Sequence, residues 1–292
     1  MLKAAIKEYL ESFTGRSVKT IKKKEFLLKH LEEFGVDDEW DEKKVKSFYE
    51  YIASKGLAIS TIKDIFREVK SYLRWLRRKK HYAVFIDEDA FRSVFQAQRL
   101  KVKKKKEIFT DEELGKVFSY CDKKPPIYKV FFLLLLHSGL RVNEALNLSA
   151  EDLIIKKIEQ REFLFLKVRE GKFGKERETP MLLLSEEEKE FFKRFFASRK
   201  NKPLWFYILK YPKRAKEKVL TFWSVEKFCQ RAEKELGFPI YPHKFRYTWI
   251  SRMLSEGYSI HAVQTWAGHE KATTTLEIYA VVMTEKELLR KT

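Results

Sequence analysis

The sequence predicts a mainly α-helical chain with a small β-hairpin or sheet, built as an N-terminal helical bundle followed by an α+β domain. Three observations carry this. The first hundred residues repeat apolar side chains at helical spacing on Lys-rich segments. A basic run with almost no apolar content, "RLKVKKKKE", then interrupts the pattern. The remainder is helical again, with one β interruption at "REFLFLKVREGKFGKERETPMLLL". A length of 292 residues suits two cores better than one. The expected boundaries are therefore 1–98 for the bundle, 99–106 for a basic linker and 107–292 for the second domain.

Each element has a local reason. Segments near 3–13, 18–34 and 41–54 are amphipathic. The clearest helix runs from Ser60, as N-cap, to about Arg78, with Ile62, Ile65, Phe66, Val69, Tyr72, Leu73 and Leu76 on one face. Four such helices make a small bundle. Its outer lysines are either a solvated face or a surface that tracks phosphates. The linker lysines Lys101, Lys103, Lys104, Lys105 and Lys106 are likewise either a tether or a contact along a nucleic-acid backbone. "FTDEEL" starts a helix, with Thr110 as cap and acids in the first turn. Two β-prone runs flank "EGKFG", whose glycines permit a tight turn that carries Lys172.

Composition narrows the function. There are 61 basic and 42 acidic residues, a net charge of +19, which favours a polyanionic partner, nucleic acid or an anionic membrane surface, over a merely basic surface. Hydrophobic residues at 44% exclude wholesale disorder. The longest apolar run, "VFFLLLL", falls far short of the roughly 20 residues that span a bilayer. "MLKAAIKEYLESF" is charged throughout and has no secretory core. Cys121 and Cys229 are too few for a disulfide framework or a cysteine metal site. No P-loop, dinucleotide fingerprint or zinc-spaced histidine cluster occurs, so neither metal nor cofactor is expected. A cytoplasmic protein fits. The 3 asparagines and 5 glutamines, against abundant Lys and Glu, suit a heat-adapted source.

Three stretches of the second domain can hold chemistry. In "HSGLRVNEALNL", Gly139 caps one helix and Arg141 opens the next, a poor place for a cation unless an anion is held there. Glu144, three residues on, can brace the guanidinium; a plain surface Arg–Glu pair is the alternative. In "YPHKFRYTWISRML", Pro242 suits a first helical turn and sets His243 and Arg246 on one face, as an oxyanion site or as a half-buried histidine near an arginine. Phe245, Trp249 and Leu254 can anchor that helix. In "WAGHEKATTTLEIYA", a helix with Ile260, Val263 and Ala267 on its apolar face ends at Gly268, His269 follows, and Tyr279 comes ten residues later. Taken alone, such a tyrosine is ordinary core packing.

The order of these pieces resembles the tyrosine recombinase/integrase family, Xer-like or virus and plasmid integrases, archaeal members included. The resemblance spans most of 107–292, and "STIKDIFREVKSYLRWL" is similar, less specifically, to that family's core-binding domain. It implies a core-binding bundle joined to an α+β catalytic domain. Arg141 and Arg246 would match the two phosphate-clamping arginines, Lys172 the lysine of the hairpin turn, His243 and His269 the two histidines, and Tyr279 the nucleophile. Glu144 would match a buttressing acid. The implied activity is cutting and rejoining of double-stranded DNA through a 3′-phosphotyrosyl link, without metal or ATP, by basic domains that clamp the duplex. A dimer or tetramer would assemble on DNA through the C-terminal tail or, equally, that tail packs on its own domain. The setting would be cytoplasmic and nucleoid-associated. A non-catalytic DNA-binding protein and a type IB topoisomerase are the alternatives. One departure stands out. The His269–Tyr279 spacing is one residue longer than the family pattern, with "TTT" for two threonines. An added residue turns a helix by about 100°, so a loop or bulge must absorb it.

Overall fold

Apolar side chains at helical spacing build the first four helices of the computed structural model, which describes residues 2–35, 38–79, 83–95, 107–169, 176–211, 214–269 and 275–276. The chain divides into two units, Met1–Lys103 and Lys104–Thr292. The first holds α1 (Leu2–Glu11), α2 (Val18–Phe34), α3 (Glu42–Ser54), α4 (Ile59–Arg78) and the short α5 (Ala90–Ser93). All seven apolar residues expected on α4 are buried, 3% exposed or less. Lys23–Asp64 at 2.7 Å and Lys24–Glu68 at 2.6 Å join α2 to α4, and the Tyr9 hydroxyl donates to Glu68 at 2.8 Å. The N-cap of α4 is Ala58, not Ser60, and it makes no side-chain cap. The helix starts earlier than expected because tertiary burial of its stripe outweighs the missing cap bond of about 1 kcal/mol. A two-residue parallel pair, β1 (Glu39–Trp40) with β2 (Phe85–Ile86), ties distant segments of this unit together.

The second unit is organised around α7 (Pro126–Ser138), whose apolar residues are buried on nearly all sides. Before it, α6 (Asp111–Asp122) begins with the expected cap: Thr110 accepts from the Glu113 amide, and Glu113 accepts from that of Thr110. After α8 (Val142–Leu146) come β3 (Leu153–Ile158), β4 (Arg161–Val168) and β5 (Arg177–Met181), an antiparallel sheet in the order β3-β4-β5. The predicted hairpin is the β4–β5 pair, in register at Val168 with Arg177 and Leu166 with Thr179. The expectation of a single β interruption is corrected. β3 extends that sheet, and past α9 (Glu186–Ala197) a second hairpin pairs β6 (Phe206–Tyr211) with β7 (Arg214–Val219).

Among the described residues the helices α10 (Phe222–Leu236), α11 (Pro242–Ser255) and α12 (Ile260–Ala267) follow. Phe245 of α11 enters the main core, while Trp249, Ile250, Met253 and Leu254 form a smaller cluster with Val263 and Ala267 of α12. That cluster fixes α12 on α11. Among the described residues no helix is long and apolar enough to cross a membrane. The linker lysines 101 and 103–106, Lys172, Tyr279 and the tail 280–292 lie outside the described residues.

Candidate active site

Two helix ends and one helix start generate the site. Gly139 closes α7 in the left-handed region at φ 62° and brings Arg141 to the N-cap of α8. Pro242 opens α11, placing His243 and Arg246 one turn apart. Gly268 closes α12 at φ 66°, and the His269 amide then donates back to the Gln264 carbonyl at 3.0 Å. These local rules are all legible in the sequence.

Arginines gather where α12 ends. The last carbonyls of a helix lack intrahelical donors and carry the negative end of its dipole. Here three consecutive ones each receive a guanidinium. Arg177 Nε donates to the Trp266 carbonyl at 2.9 Å, Arg246 Nη2 to that of Ala267 at 2.6 Å, and Arg141 Nη2 to that of Gly268 at 2.7 Å. Arg246 is 1% exposed, and its Nη1 also donates to the Gly139 carbonyl at 2.5 Å. One side chain thus links the ends of α7 and α12.

Glu144 lies beneath this group, 8% exposed. It accepts from the Arg141 amide at 2.8 Å and from Arg141 Nη1 at 2.7 Å. Arg177 grips it with both terminal nitrogens, at 3.1 and 2.8 Å. Burial alone would raise its carboxyl, but the bonds and charge of Arg177, then of Arg141, prevail and bring it down to about 2. Burial, with Arg141 next, pushes the Arg246 guanidinium down to about 9, so it stays cationic at neutral pH.

His243 faces a cavity of about 410 Å³ that it lines with Arg141, Glu144, Phe222, Glu226 and Tyr241. Desolvation by the surrounding protein, then the Arg246 and Arg141 charges, lowers its pKa from the ordinary imidazole value. The shift favours the neutral ring. His269 Nδ1 lies 2.9 Å from the hydroxyl of Thr275, the last residue of the "TTT" run, which is fully buried. The structure so brings together Arg141, Glu144, His243, Arg246 and His269. Arg177 is a member of the site that sequence reasoning does not find. In "KERETP" it looks like any exposed strand cation, and its partners lie 33 and 89 positions away. Among the described residues no group of His, Cys, Asp and Glu could hold a metal ion.

Comparison with known proteins decides the family. The phage integrase family profile matches residues 107–286. The chain belongs to the phage integrase family. Over 294 residues it is 36% identical to an Aquifex aeolicus protein described as "Probable integrase/recombinase", covering 94% of this chain and 93% of that one. To the tyrosine recombinase XerA of Pyrococcus horikoshii it is 29% identical, over 95% of this chain and 87% of the relative. Its fold is similar to that of a lambda integrase dimer bound to a COC′ core site, with TM-score 0.71 and 17% identity, covering 95% of this chain and 94% of that one. This integrase-family chain is thus an enzyme, a tyrosine recombinase of site-specific recombination. The arginine-ringed end of α12 lies within the matched region.

Proposed function

We propose that this recombinase cuts and rejoins double-stranded DNA with Tyr279 as nucleophile, and that Arg141, Lys172, His243, Arg246 and His269 surround the scissile phosphate. Glu144 buttresses Arg141. The observation that carries this reading is the convergence of Arg141 and Arg246 on the end of α12, with His269 next in the chain and His243 on the cavity that Arg141 also lines. A phosphodiester repels nucleophiles because its oxygens are anionic. Two guanidiniums offset that charge and match the equatorial oxygens of a pentavalent transition state. The side chains of Arg141 and Arg246 each give protein one bond from Nη1 and one from Nη2, and a guanidinium has five N–H donors, so donors remain for phosphate.

The proton steps follow from the same environment. Tyrosine, with a pKa near 10, needs a base, and a neutral His243 can take its proton. The phenolic oxygen bonds to phosphorus as the bond to the 5′ oxygen breaks, and Lys172 protonates that leaving oxygen. His269, oriented by Thr275, donates to a phosphate oxygen. The 3′-phosphotyrosyl link keeps the bond energy. A second 5′-hydroxyl then attacks it, returning the tyrosine. Residues 1–98 would hold the duplex and 99–106 would bridge to the catalytic domain at 107–292. The lambda integrase with this fold is a dimer on its core site, which supports assembly of a dimer or tetramer on DNA here as well. The tail 280–292, with Val281, Val282, Leu288 and Leu289 as apolar anchors, is the segment proposed to dock on a neighbouring protomer. A cytoplasmic, nucleoid-associated setting follows from such a substrate.

A nicked suicide duplex tests the chemistry. Wild-type enzyme should form a covalent protein–DNA adduct, and Tyr279→Phe none. An adduct that persists in that variant refutes the nucleophile. Arg141→Ala and Arg246→Ala should still bind DNA, with adduct formation at least about 100-fold slower.

A further inference from the structure

Arg177 is not among the residues placed around the phosphate, yet all three of its guanidinium nitrogens bond to the site. We propose that Arg177 is a positioning residue for strand cleavage, holding Glu144 and the last turn of α12 in register and so setting Arg141 and His269 without touching DNA itself. This rests on the assignment of Arg141 and His269 to the scissile phosphate.

Its geometry is that of a brace. The side chain is 12% exposed, and its nitrogens reach the Trp266 carbonyl and both Glu144 oxygens. Glu144 in turn holds the Arg141 amide and guanidinium, so Arg177 governs Arg141 through a shared carboxylate. At its other end it lies against the backbone that leads to His269. A Cβ at Gly268 would stand 2.9 Å from the Arg177 Cζ, and φ at Gly268 is +66°. The close approach and the left-handed turn are thus one arrangement. The base of the brace is firm as well. Arg177 pairs with Val168 in the sheet, and Thr179, two residues on, donates to the Ser138 carbonyl at 3.2 Å, next to the cap that precedes Arg141.

The charges point the same way. Glu144 faces Arg141 on its own helix, Arg177 on β5, and Arg246 and His243 on α11. Asp152, Lys167 and Arg169 share a second cavity with it. Arg177 supplies the largest of the influences that lower its carboxyl. Without Arg177, burial pulls the carboxyl upward. As pH falls through the raised value Glu144 takes a proton, Arg141 loses its anchor, and cleavage fails at a higher pH than in wild type.

The experiment measures single-turnover adduct formation by the full chain, across pH and DNA concentration, on the nicked suicide duplex that wild-type enzyme cleaves best. In Arg177→Met the maximal rate should drop about 100-fold, the effect of misplacing catalytic groups by an ångström. Half-saturation by DNA should move less than roughly threefold, because Arg177 neutralises no phosphate. The acid limb should rise by about one pH unit or more, as expected when a buried carboxylate loses an arginine. Arg177→Lys keeps the charge but not the two-point grip, and should be roughly tenfold slow. If Arg177→Met fails to fold by circular dichroism, Arg177→Lys decides. A wild-type rate in Arg177→Lys, or a loss in Arg177→Met confined to half-saturation with an unmoved acid limb, overturns the proposal. The Tyr279→Phe control separates the two readings. If it abolishes the adduct while Arg177→Lys behaves as wild type, only the role of Arg177 falls.

Discussion

At the scale of single residues, Gly139 shows how little freedom the site allows. Its φ of +62° is one that side chains rarely adopt, and a Cβ there would stand 2.2 Å from Trp249 Cε3 and 2.5 Å from Cδ2. Trp249 cannot move aside. It is fully buried, and its indole donates to the His137 carbonyl at 3.0 Å. The carbonyl of Gly139 is also a partner of Arg246. Gly139→Ala should therefore cost about 1–2 kcal/mol for the left-handed backbone and about 1–3 kcal/mol for overpacking. Thermal unfolding should show a drop in Tm of several degrees, and adduct formation should fall with it. Gly115 makes the contrasting case. It lies in α6 with ordinary φ and nothing near its absent Cβ, so Gly115→Ala should stabilise by about 0.5–1 kcal/mol. Equal Tm values for the two variants would mean that the packing around Trp249 is looser than these distances require.

Among elements, α11 is the one that joins the site to the start of its unit. Thr248 Oγ1 accepts from the Phe109 amide at 2.9 Å and donates to the Lys244 carbonyl at 2.9 Å. Lys244 is 2% exposed, bonds Glu113 and the Pro239 carbonyl, and sits 4.4 Å over the Phe109 ring. Thr248→Val keeps the shape but leaves the buried Phe109 N–H without an acceptor, a cost of about 1–3 kcal/mol. Hydrogen exchange at that amide should accelerate roughly tenfold or more; unchanged exchange would show that another group satisfies it. Which elements can be read from sequence follows the same division into local and distant causes. The Thr110 cap, the Gly139 and Gly268 turns and the Pro242 start depend on neighbours within a few residues, and each is where the sequence places it. The second hairpin escapes such a reading because β7, "RAKEKV", has no apolar alternation, and Ile208 of β6 is itself 50% exposed. The pairing of Glu39–Trp40 with Phe85–Ile86 is too short for any period to reveal. Arg177 escapes it for the reason that makes it useful: its partners in the site are remote in sequence.

For the whole molecule the governing quantity is charge. The excess is shared, with 24 basic against 16 acidic residues in 1–103 and 37 against 26 in 104–292. Much of it is not spent on folding, since exposed ion pairs such as Lys116–Glu112 are screened by solvent and stabilise little. A surplus on both units fits a ligand that is itself a continuous line of phosphates. If the two units together neutralise about 6–10 phosphates, affinity should fall about 10³- to 10⁵-fold between roughly 50 and 200 mM salt. Replacing Lys101, Lys103, Lys104, Lys105 and Lys106 by Gln should flatten the log–log slope by about 0.9 for each phosphate left without its lysine, with the cleavage rate at saturating DNA unchanged. The same surplus acts in the opposite sense on the DNA-free chain, whose like charges repel one another. Salt that weakens the complex should therefore raise the Tm of the free protein, and the two trends can be read from one titration series. A binding constant indifferent to salt would remove electrostatics as the source of affinity. If salt also failed to raise the Tm, the surplus charges would be spaced too widely for their repulsion to cost the fold much.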